Sequence, residues 1–317
     1  MSKLTSSGVS ATCLRVKRKS TVVLFGEVLA DIFPDRTVLG GAPFNVARHL
    51  NAFGQNPVLI TRLGNDVLRD NVLSVMSQNG METLGIQHDN VHTTGRVQVH
   101  IEDGKHRFEI IPLQAYDFIH PEMARTTTLS VHPVLVYFGT LAQRCEISRR
   151  ALKTLLRSTN ATKFLDINLR TPWYDEKTLC RSFQYANIVK LNIEELGVLA
   201  EIFELSGNKP QDQALELMNR FDFERVLVTC GAQGAWQIDR NGQKAEVSAT
   251  NPIANLVDTV GAGDGFAAVC ILGALRRWPT AITLERANFF AAAICGIRGA
   301  VPDHADFYQP FTETWAV

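Results

Sequence analysis

A glycine-rich stretch, DTVGAGDGF at Asp258–Phe266, has the residue types to bind a phosphoryl group and to supply a base beside it. The residues after it, Ala267–Leu275, are mostly apolar and helix-forming, which predicts a buried helix that begins at the glycines. The first N–H groups of a helix have no partner within the helix, and the helix dipole places partial positive charge there. Small residues also let an anion approach the backbone closely. The amides concerned belong to Gly261, Ala262, Gly263 and Asp264.

Asp264 lies among these amides, where the helix dipole favours an ionised carboxylate, the form that a general base requires. The same residues also fit a second interpretation, a glycine-rich helix start in which Asp264 only compensates the dipole. Two better-known phosphate loops do not explain the stretch. The chain contains no G-x-x-x-x-G-K-[ST] string, and Phe266 occupies the third glycine position of a dinucleotide fingerprint.

Five further stretches combine polar groups with glycines or strand ends. Four of them follow a predicted strand, whereas GGAPFNVA precedes a helix that we expect Asn45 to open. Asp31 and Asn45 offer a carboxylate and a carboxamide, which are common partners of sugar hydroxyls. The stretches are GEVLAD (Gly26–Asp31), GGAPFNVA (Gly40–Ala47), DINLR (Asp166–Arg170), KLNIEEL (Lys190–Leu196) and VTCGAQGA (Val228–Ala235).

The elements that must position these groups alternate between short apolar strands and helices. Nearly all-apolar strands indicate a parallel sheet covered on both faces, and ligands of such sheets bind beyond the carboxyl ends of the strands. The predicted strands are Val22–Phe25, Val58–Thr61, Val134–Phe138, Phe164–Ile167, Ile188–Leu191 and Val226–Thr229. The predicted helices are Asn45–Phe53, Leu68–Asn79, Ser148–Arg157, Ile193–Leu199, Gln211–Phe221, Ala262–Arg276 and Leu284–Gly296.

One region departs from this pattern. Arg96–Ile101 alternates polar and apolar residues, Asp103-Gly104 is a two-residue hairpin turn, and Phe108 and Ile110 continue the alternation. This predicts a small half-exposed sheet, with partner strands near Asp31–Val38, that serves as a lid or a dimer surface. A plain edge hairpin is the alternative.

Composition and charge narrow the class of protein. The chain has 317 residues with equal numbers of acidic and basic side chains, so no overall field attracts nucleic acid or membranes. The six cysteines contain no C-x-x-C pair, which argues against a zinc or redox motif. Residues 1–20 read as a polar, basic tail without an apolar core, and no apolar run approaches a membrane span. We therefore expect a cytoplasmic protein.

Three motifs resemble those of the ribokinase-like (PfkB) carbohydrate kinases. Asp258–Asp264, with Ala268 four residues on, is similar to the C-terminal signature, Asn192–Glu195 to the N-x-x-E motif, and Gly40-Gly41 to the N-terminal double glycine. The resemblance runs from about Val22 to about Asp303. GGAPFNVA and GEVLAD are most like fructokinases, because ribokinases typically have a lysine–glycine pair where this chain has Ala42-Pro43. Gly265 departs from relatives, which often carry Ser, Thr or Ala there, and we expect it to loosen the first helical turn.

The resemblance implies a fold class and a domain organisation for the chain. The fold is α/β, a three-layer ribokinase-like (Rossmann-like) parallel sheet with a small β-sheet lid. A kinase domain over 21–317 would follow the tail at 1–20, with lid segments near 31–40 and 94–119 inserted in it. The lid would close over the sugar, exclude water and pair in a homodimer.

The resemblance also implies roles for individual residues. Asp264 would be the catalytic base beside an anion hole of Gly261, Ala262 and Gly263, and Asp31, Gly41 and Asn45 would bind the sugar. Asn192, Thr229 and Gly231 would line the ATP site. Asn192 and Glu195 would organise Mg²⁺ through water, and Asp258 with the carbonyl of Val260 would bind K⁺. For Arg170 and Lys190 two interpretations stay open: each lies beside a phosphate group of ATP, or each is a charge on the protein surface.

The reaction implied is transfer of the γ-phosphoryl group of ATP to a primary hydroxyl of a small sugar, with D-fructose giving fructose 6-phosphate. Other acceptors stay open, namely ribose, 2-keto-3-deoxygluconate or a nucleoside. The polar face of the lid strand, Arg96, Gln98 and His100, favours a hydroxyl-rich ligand over a base. A rival of another class is a non-catalytic sugar sensor, for which we would expect Asp264 to be replaced.

Overall fold

The computed structural model describes residues 20–102, 105–248 and 256–315, which form strands β1–β13 and helices α1–α10. The strands are β1 (Thr21–Phe25), β2 (Leu29–Ile32), β3 (Thr37–Gly40), β4 (Asn56–Leu63), β5 (Ile86–His88), β6 (Gly95–Glu102), β7 (Lys105–Ile110), β8 (Leu135–Phe138), β9 (Thr162–Asp166), β10 (Ile188–Asn192), β11 (Arg225–Thr229), β12 (Gly234–Asp239) and β13 (Lys244–Ser248). The helices are α1 (Ala42–Ala52), α2 (Val67–Gln78), α3 (Pro121–Val131), α4 (Glu146–Arg157), α5 (Glu176–Phe183), α6 (Ile193–Ile202), α7 (Pro210–Phe221), α8 (Ala262–Arg276), α9 (Thr280–Ile294) and α10 (Gln309–Trp315).

The large sheet has the strand order β13-β12-β11-β10-β9-β8-β1-β4-β5. Seven of these strands, from β11 to β5 in that order, pair in parallel. Val22 and Leu24 of β1 belong to the core that contains α1, α2, α8 and α9, whereas Val23 and Phe25 belong to the core that contains α3–α7. Each central strand is therefore buried on both faces, which explains its continuous apolar sequence. The predicted three-layer α/β architecture is confirmed.

Two antiparallel strands, β12 and β13, extend the sheet beyond β11 and were not predicted. β13 alternates exposed and half-buried residues at the sheet edge, so it lacks the apolar run by which the other strands were found. The turn between the two strands contains Asn241-Gly242, with Gly242 in the left-handed region at φ 74°. An Asn-Gly pair is a strong hairpin signal, and it would have indicated this pair of strands.

A separate four-stranded sheet has the order β3-β2-β6-β7 and forms the small lid sheet. β2 pairs in parallel with β6, which places Asp31 opposite Val97, and β6 pairs antiparallel with β7. Val97 and Val99 are buried, as the alternating pattern predicted. The predicted turn at residues 103–104 lies outside the described residues, as do residues 1–19. The division into a tail at 1–20 and a domain over 21–317 with lid insertions stays a prediction.

Helix α1 begins at Ala42, so the prediction that Asn45 opens it is wrong. Gly41 is the residue before the helix, at φ 103°, and a proline is tolerated in the first turn because its missing N–H would have no helical partner. Asn45 therefore lies one turn into the helix, where its side chain is not used for capping.

Helix α8, nine of whose 15 residues are buried, packs closely against α9. A Cβ atom added at Gly265 would lie 3.2 Å from side-chain atoms of Ile294 and Phe290, so the glycine provides room for α9. Although α8 is apolar, no helix formed by the described residues combines the length and apolarity that a membrane span requires.

Candidate active site

The amino-terminal end of α8 is shaped by Gly261. This residue has φ 80°, and a Cβ added there would lie 2.3 Å from the Cα of Ala300, so both the conformation and the space require glycine. The N–H of Ala262 donates to the carbonyl of Thr259 at 3.3 Å. The amides of Gly263, which is exposed, and Asp264 follow in the first helical turn, where no intrahelical acceptor exists. The helix start on which the anion hole was predicted is therefore formed, and its Ala262 amide already has a partner, while the binding of an anion there stays a prediction.

Asp264 and Asn45 are in direct contact. Nδ2 of Asn45 donates to Oδ2 of Asp264 at 2.8 Å, and this bond joins α1 to the start of α8. Oδ1 of Asn45 is buried without a partner. Burial raises the pKa of Asp264 to about 6, while the hydrogen bond from Asn45 opposes this rise. A carboxyl group with a pKa near neutrality suits a proton acceptor.

A buried ion pair lies beneath the first turn of α8. Nζ of Lys190 is 2.9 Å from Oδ1 of Asp166, and the hydroxyl of Tyr137 donates to Oδ2 of Asp166 at 3.1 Å. Burial disfavours the charged form of Lys190, but the carboxylates of Asp166, Glu195 and Asp264 together outweigh this effect and raise the pKa of the lysine above its usual value. The same Nζ lies 3.5 Å from the position that a Cβ would take at Gly263. Lys190 is therefore a buried cation next to the candidate anion hole, not a surface charge.

Glu27, which the sequence analysis did not single out within GEVLAD, is a buried carboxyl group at the same edge of the sheet. Only 6% of the residue is exposed, and its Oε2 has no hydrogen-bond partner among the residues that the structure describes. Burial raises the pKa of Glu27 to about 7, opposed by the positive charge of Arg170 and assisted by the negative charge of Asp264. An unpaired buried acid of this kind is costly to folding, which is typical of functional sites.

Asp31 and Gly41, the other predicted sugar ligands, can be placed by their neighbours. Burial raises the pKa of Asp31 to about 6, and Arg170 opposes this rise, as it does for Asp264. A Cβ added at Gly41 would lie 2.7 Å from the carbonyl oxygen of Glu27. The three acids Glu27, Asp31 and Asp264 thus share one exposed arginine.

Asn192 and Glu195 form a reciprocal cap at the start of α6. The Asn192 side chain accepts from the N–H of Glu195 at 2.7 Å, and Glu195 accepts from the N–H groups of Asn192 and Leu169, each at 2.8 Å. Both carboxylate oxygens therefore have protein donors. The described residues contain no cluster of three or more metal-binding side chains, which leaves a role for this pair in binding Mg²⁺ through water as a prediction.

The predicted nucleotide and potassium ligands lie in loops beside this edge. A Cβ added at Gly231 would meet nothing within 4 Å, so there is space above the loop that follows Thr229 and β11. Asp258 accepts from the N–H of Val260 at 3.0 Å and from that of Gly299 at 3.2 Å, which ties two loops together. The structure thus brings Asn45 into contact with Asp264, whereas Thr229, Gly231, Asp258 and Val260 make no described side-chain contact with that pair.

Replacing Glu27 by glutamine should stabilise the fold at alkaline pH. The pKa of Glu27 is about 7 in the folded protein and 4.5 without the protein environment, so the folded state favours the protonated side chain. The stability that the protonated side chain contributes is lost as the pH rises through 7. Glu27→Gln should therefore raise the free energy of unfolding by about 1–3 kcal/mol at pH 8.5 and change it little at pH 4.5. Denaturant titrations at both pH values test this, with Glu122→Gln on the surface of α3 as the control. A loss of stability at pH 8.5 would contradict the expectation.

Three comparisons with known proteins identify the family and the fold of the chain. The chain matches the profile described as pfkB family carbohydrate kinase over residues 11–305. It is 28% identical to a fructokinase of Escherichia coli, over 80% of this chain and 83% of the relative. The fold superimposes on a Xylella fastidiosa fructokinase with bound ATP (TM-score 0.80, 21% identity, 94% of this chain and 100% of that one). It also superimposes on a Vibrio cholerae fructokinase mutant that binds fructose, ADP and potassium (TM-score 0.74, 24% identity, 92% and 97%).

Proposed function

Because the chain belongs to the pfkB family of ATP-dependent carbohydrate kinases, we propose that it phosphorylates D-fructose at its primary hydroxyl to give fructose 6-phosphate. The observation that carries this proposal is the contact between Asn45 and Asp264, since it joins a predicted sugar ligand to the predicted base. The similarity to the fructokinases of E. coli and X. fastidiosa supports fructose as the acceptor.

In the proposed reaction, Asp264 takes the proton of the acceptor hydroxyl as the oxygen attacks the γ-phosphorus of ATP and ADP leaves. The amides of Gly263 and Asp264 stabilise the charge on the transferring phosphoryl group. Lys190 adds a fixed positive charge beneath the same turn, held in place by Asp166. Asp31, Gly41 and Asn45 bind the sugar so that its hydroxyl faces Asp264.

The proposed reaction uses two cations, Mg²⁺ and K⁺. Mg²⁺, when bound with ATP, would neutralise phosphate charge, and Asn192 and Glu195 would reach it through water. Asp258 and the carbonyl of Val260 would bind K⁺ beside the start of α8, and the potassium in the V. cholerae structure supports testing that ion. Thr229 and Gly231 would border the nucleotide. We also propose that two copies of the chain pair through the lid sheet and that the protein is cytoplasmic.

Release of ADP over a panel of acceptors tests the proposed function. The purified chain should release ADP with ATP, Mg²⁺ and fructose at a higher kcat/KM than with ribose, 2-keto-3-deoxygluconate or a nucleoside. Each acceptor should be measured with K⁺ and with Na⁺ at equal ionic strength. A higher kcat/KM for one of the other acceptors would replace fructose by that compound.

A sugar sensor without catalysis is the second candidate of a different class. The presence of Asp264 and of the small residues before it argues against this candidate. Calorimetric binding of fructose together with no release of ADP from any acceptor would favour the sensor and reject the kinase.

A further inference from the structure

A pocket of about 440 Å³ lies between α4 and α5, and none of its lining residues belongs to the candidate active site. Its floor is apolar, with Phe138, Leu152 and Leu156 all buried. A buried hydrogen bond of 2.9 Å from Gln143 to Ser182 closes one wall. The volume falls in the range of small-molecule sites.

The charge at this pocket is unlike that of the chain as a whole, which is neutral. Arg149, Arg150 and Lys153 of α4 and Arg181 of α5 line it, and none of them forms an ion pair within the described part of the chain. Like charges at positions i and i+4, as at Arg149 and Lys153, weaken a helix. The spacing of Arg149 and Lys153 therefore has a cost to the helix, which Glu146, four residues before Arg150, offsets only in part.

Two acidic side chains reduce this charge without removing it. Glu146 lines the pocket, and Asp175 lies close enough for Arg149 and Arg181 to help lower its pKa, after the larger effect of its hydrogen bonds to Thr178. Asp175 is already engaged as the cap of α5, where it accepts from the N–H of Thr178 at 2.7 Å. Four cationic and two acidic side chains leave a net charge of +2.

We propose that this pocket binds a small molecule that carries two phosphate groups. Guanidinium and ammonium groups are the usual partners of phosphate oxygens, and the net charge of the pocket matches a dianionic or more highly charged ligand. Arg149 and Arg181 each donate one hydrogen bond to a backbone carbonyl and keep further N–H groups for a ligand. The concave shape and apolar floor suit a compact molecule, whereas a nucleic acid would require an extended basic surface. This site is independent of the proposed kinase reaction, because its residues take no part in that reaction.

Calorimetric titration of the full chain with inorganic pyrophosphate tests the proposal. Arg150 and Lys153 are exposed, so the double variant Arg150→Gln/Lys153→Gln should fold normally, which its melting temperature will verify. The variant should bind pyrophosphate at least about tenfold more weakly than the wild type at 50 mM salt, since two charge-assisted contacts are lost. The matched control Lys244→Gln/Arg276→Gln removes two exposed cations outside the pocket and should bind as the wild type does.

Several results would overturn the proposal. One is the absence of pyrophosphate binding by the wild type at 50 mM salt. A second is equal weakening in the variant and the control, which would indicate general electrostatic attraction. A third is retention of all binding by the pocket variant, which would locate the anion elsewhere, for example at the start of α8. A fourth is displacement of pyrophosphate by short duplex DNA, which would indicate a nucleic-acid surface.

Discussion

Replacing Asp264 by asparagine should lower kcat by about 10²–10⁴-fold, the range expected when a general base is removed. Asparagine keeps the size of the side chain and can still accept the hydrogen bond from Asn45, so the start of α8 should remain intact. The affinity for ATP should therefore stay within about twofold of the wild type, because the amides of Gly263 and Asp264 are unchanged. Steady-state rates and equilibrium nucleotide binding measure the two effects separately.

Asp212→Asn, on the exposed side of α7, is the control for this change. Turnover of Asp264→Asn within a few-fold of the wild type would show that another group accepts the proton. A parallel loss of ATP affinity would show that the substitution disturbs the helix start instead of removing a base.

The pH profile of the wild type provides a companion measurement. A base must be deprotonated to act, and burial raises the pKa of Asp264 to about 6, so kcat/KM should fall as the pH decreases below that value. Burial also raises the pKa of Glu27 to about 7, and the negative charge of Asp264 adds to that rise, so the apparent pKa of the profile belongs to this pair. The residual kcat/KM of Asp264→Asn should not show the fall at low pH that protonation of Asp264 causes in the wild type.

Replacing Lys190 by methionine should cause the second large effect, on stability and turnover together. Asp166 is fully buried, and without Lys190 its charge would keep only the hydrogen bond from Tyr137. Breaking a buried pair in this way should lower the free energy of unfolding by about 3–5 kcal/mol. Loss of the cation beneath Gly263 should also lower kcat by about 10²-fold, the effect of removing one stabilising group from a developing charge. Denaturant titration and ADP release measure the two quantities.

The double variant Asp166→Asn/Lys190→Met separates the two roles of Lys190. It removes both charges, so most of the lost stability should return, while kcat should stay low because the cation is still absent. Recovery of both stability and kcat would show that Lys190 serves the fold alone. Recovery of neither would indicate that the side chains of Asp166 and Tyr137 need the ammonium for their packing.

Much of the fold was predictable because each central strand is buried on both faces, most helices are buried on one face, and α8 is buried through its middle turns. The apolar runs at β1, β4, β8, β9, β10 and β11 follow from that burial, as does the alternation in β6. β13 was missed because an edge strand needs few apolar residues, although Asn241-Gly242 was a usable indication of the hairpin that joins it to β12. The family was predictable because its glycine, asparagine and acidic motifs are local in sequence.

The candidate site was also predictable from the sequence only in part. Gly261 and Asp264 were identifiable from the sequence, because the chemistry of a helix start depends on a few consecutive residues. The sequence also indicated Asn45, as a helix cap and as a sugar ligand, but only packing of α1 against α8 places it on Asp264. The ion pair of Lys190 with Asp166 and the burial of Glu27 likewise depend on strands that are distant in sequence. Local motifs determine which groups are present, whereas pKa values and charge pairing depend on burial and distance, which only the tertiary structure sets.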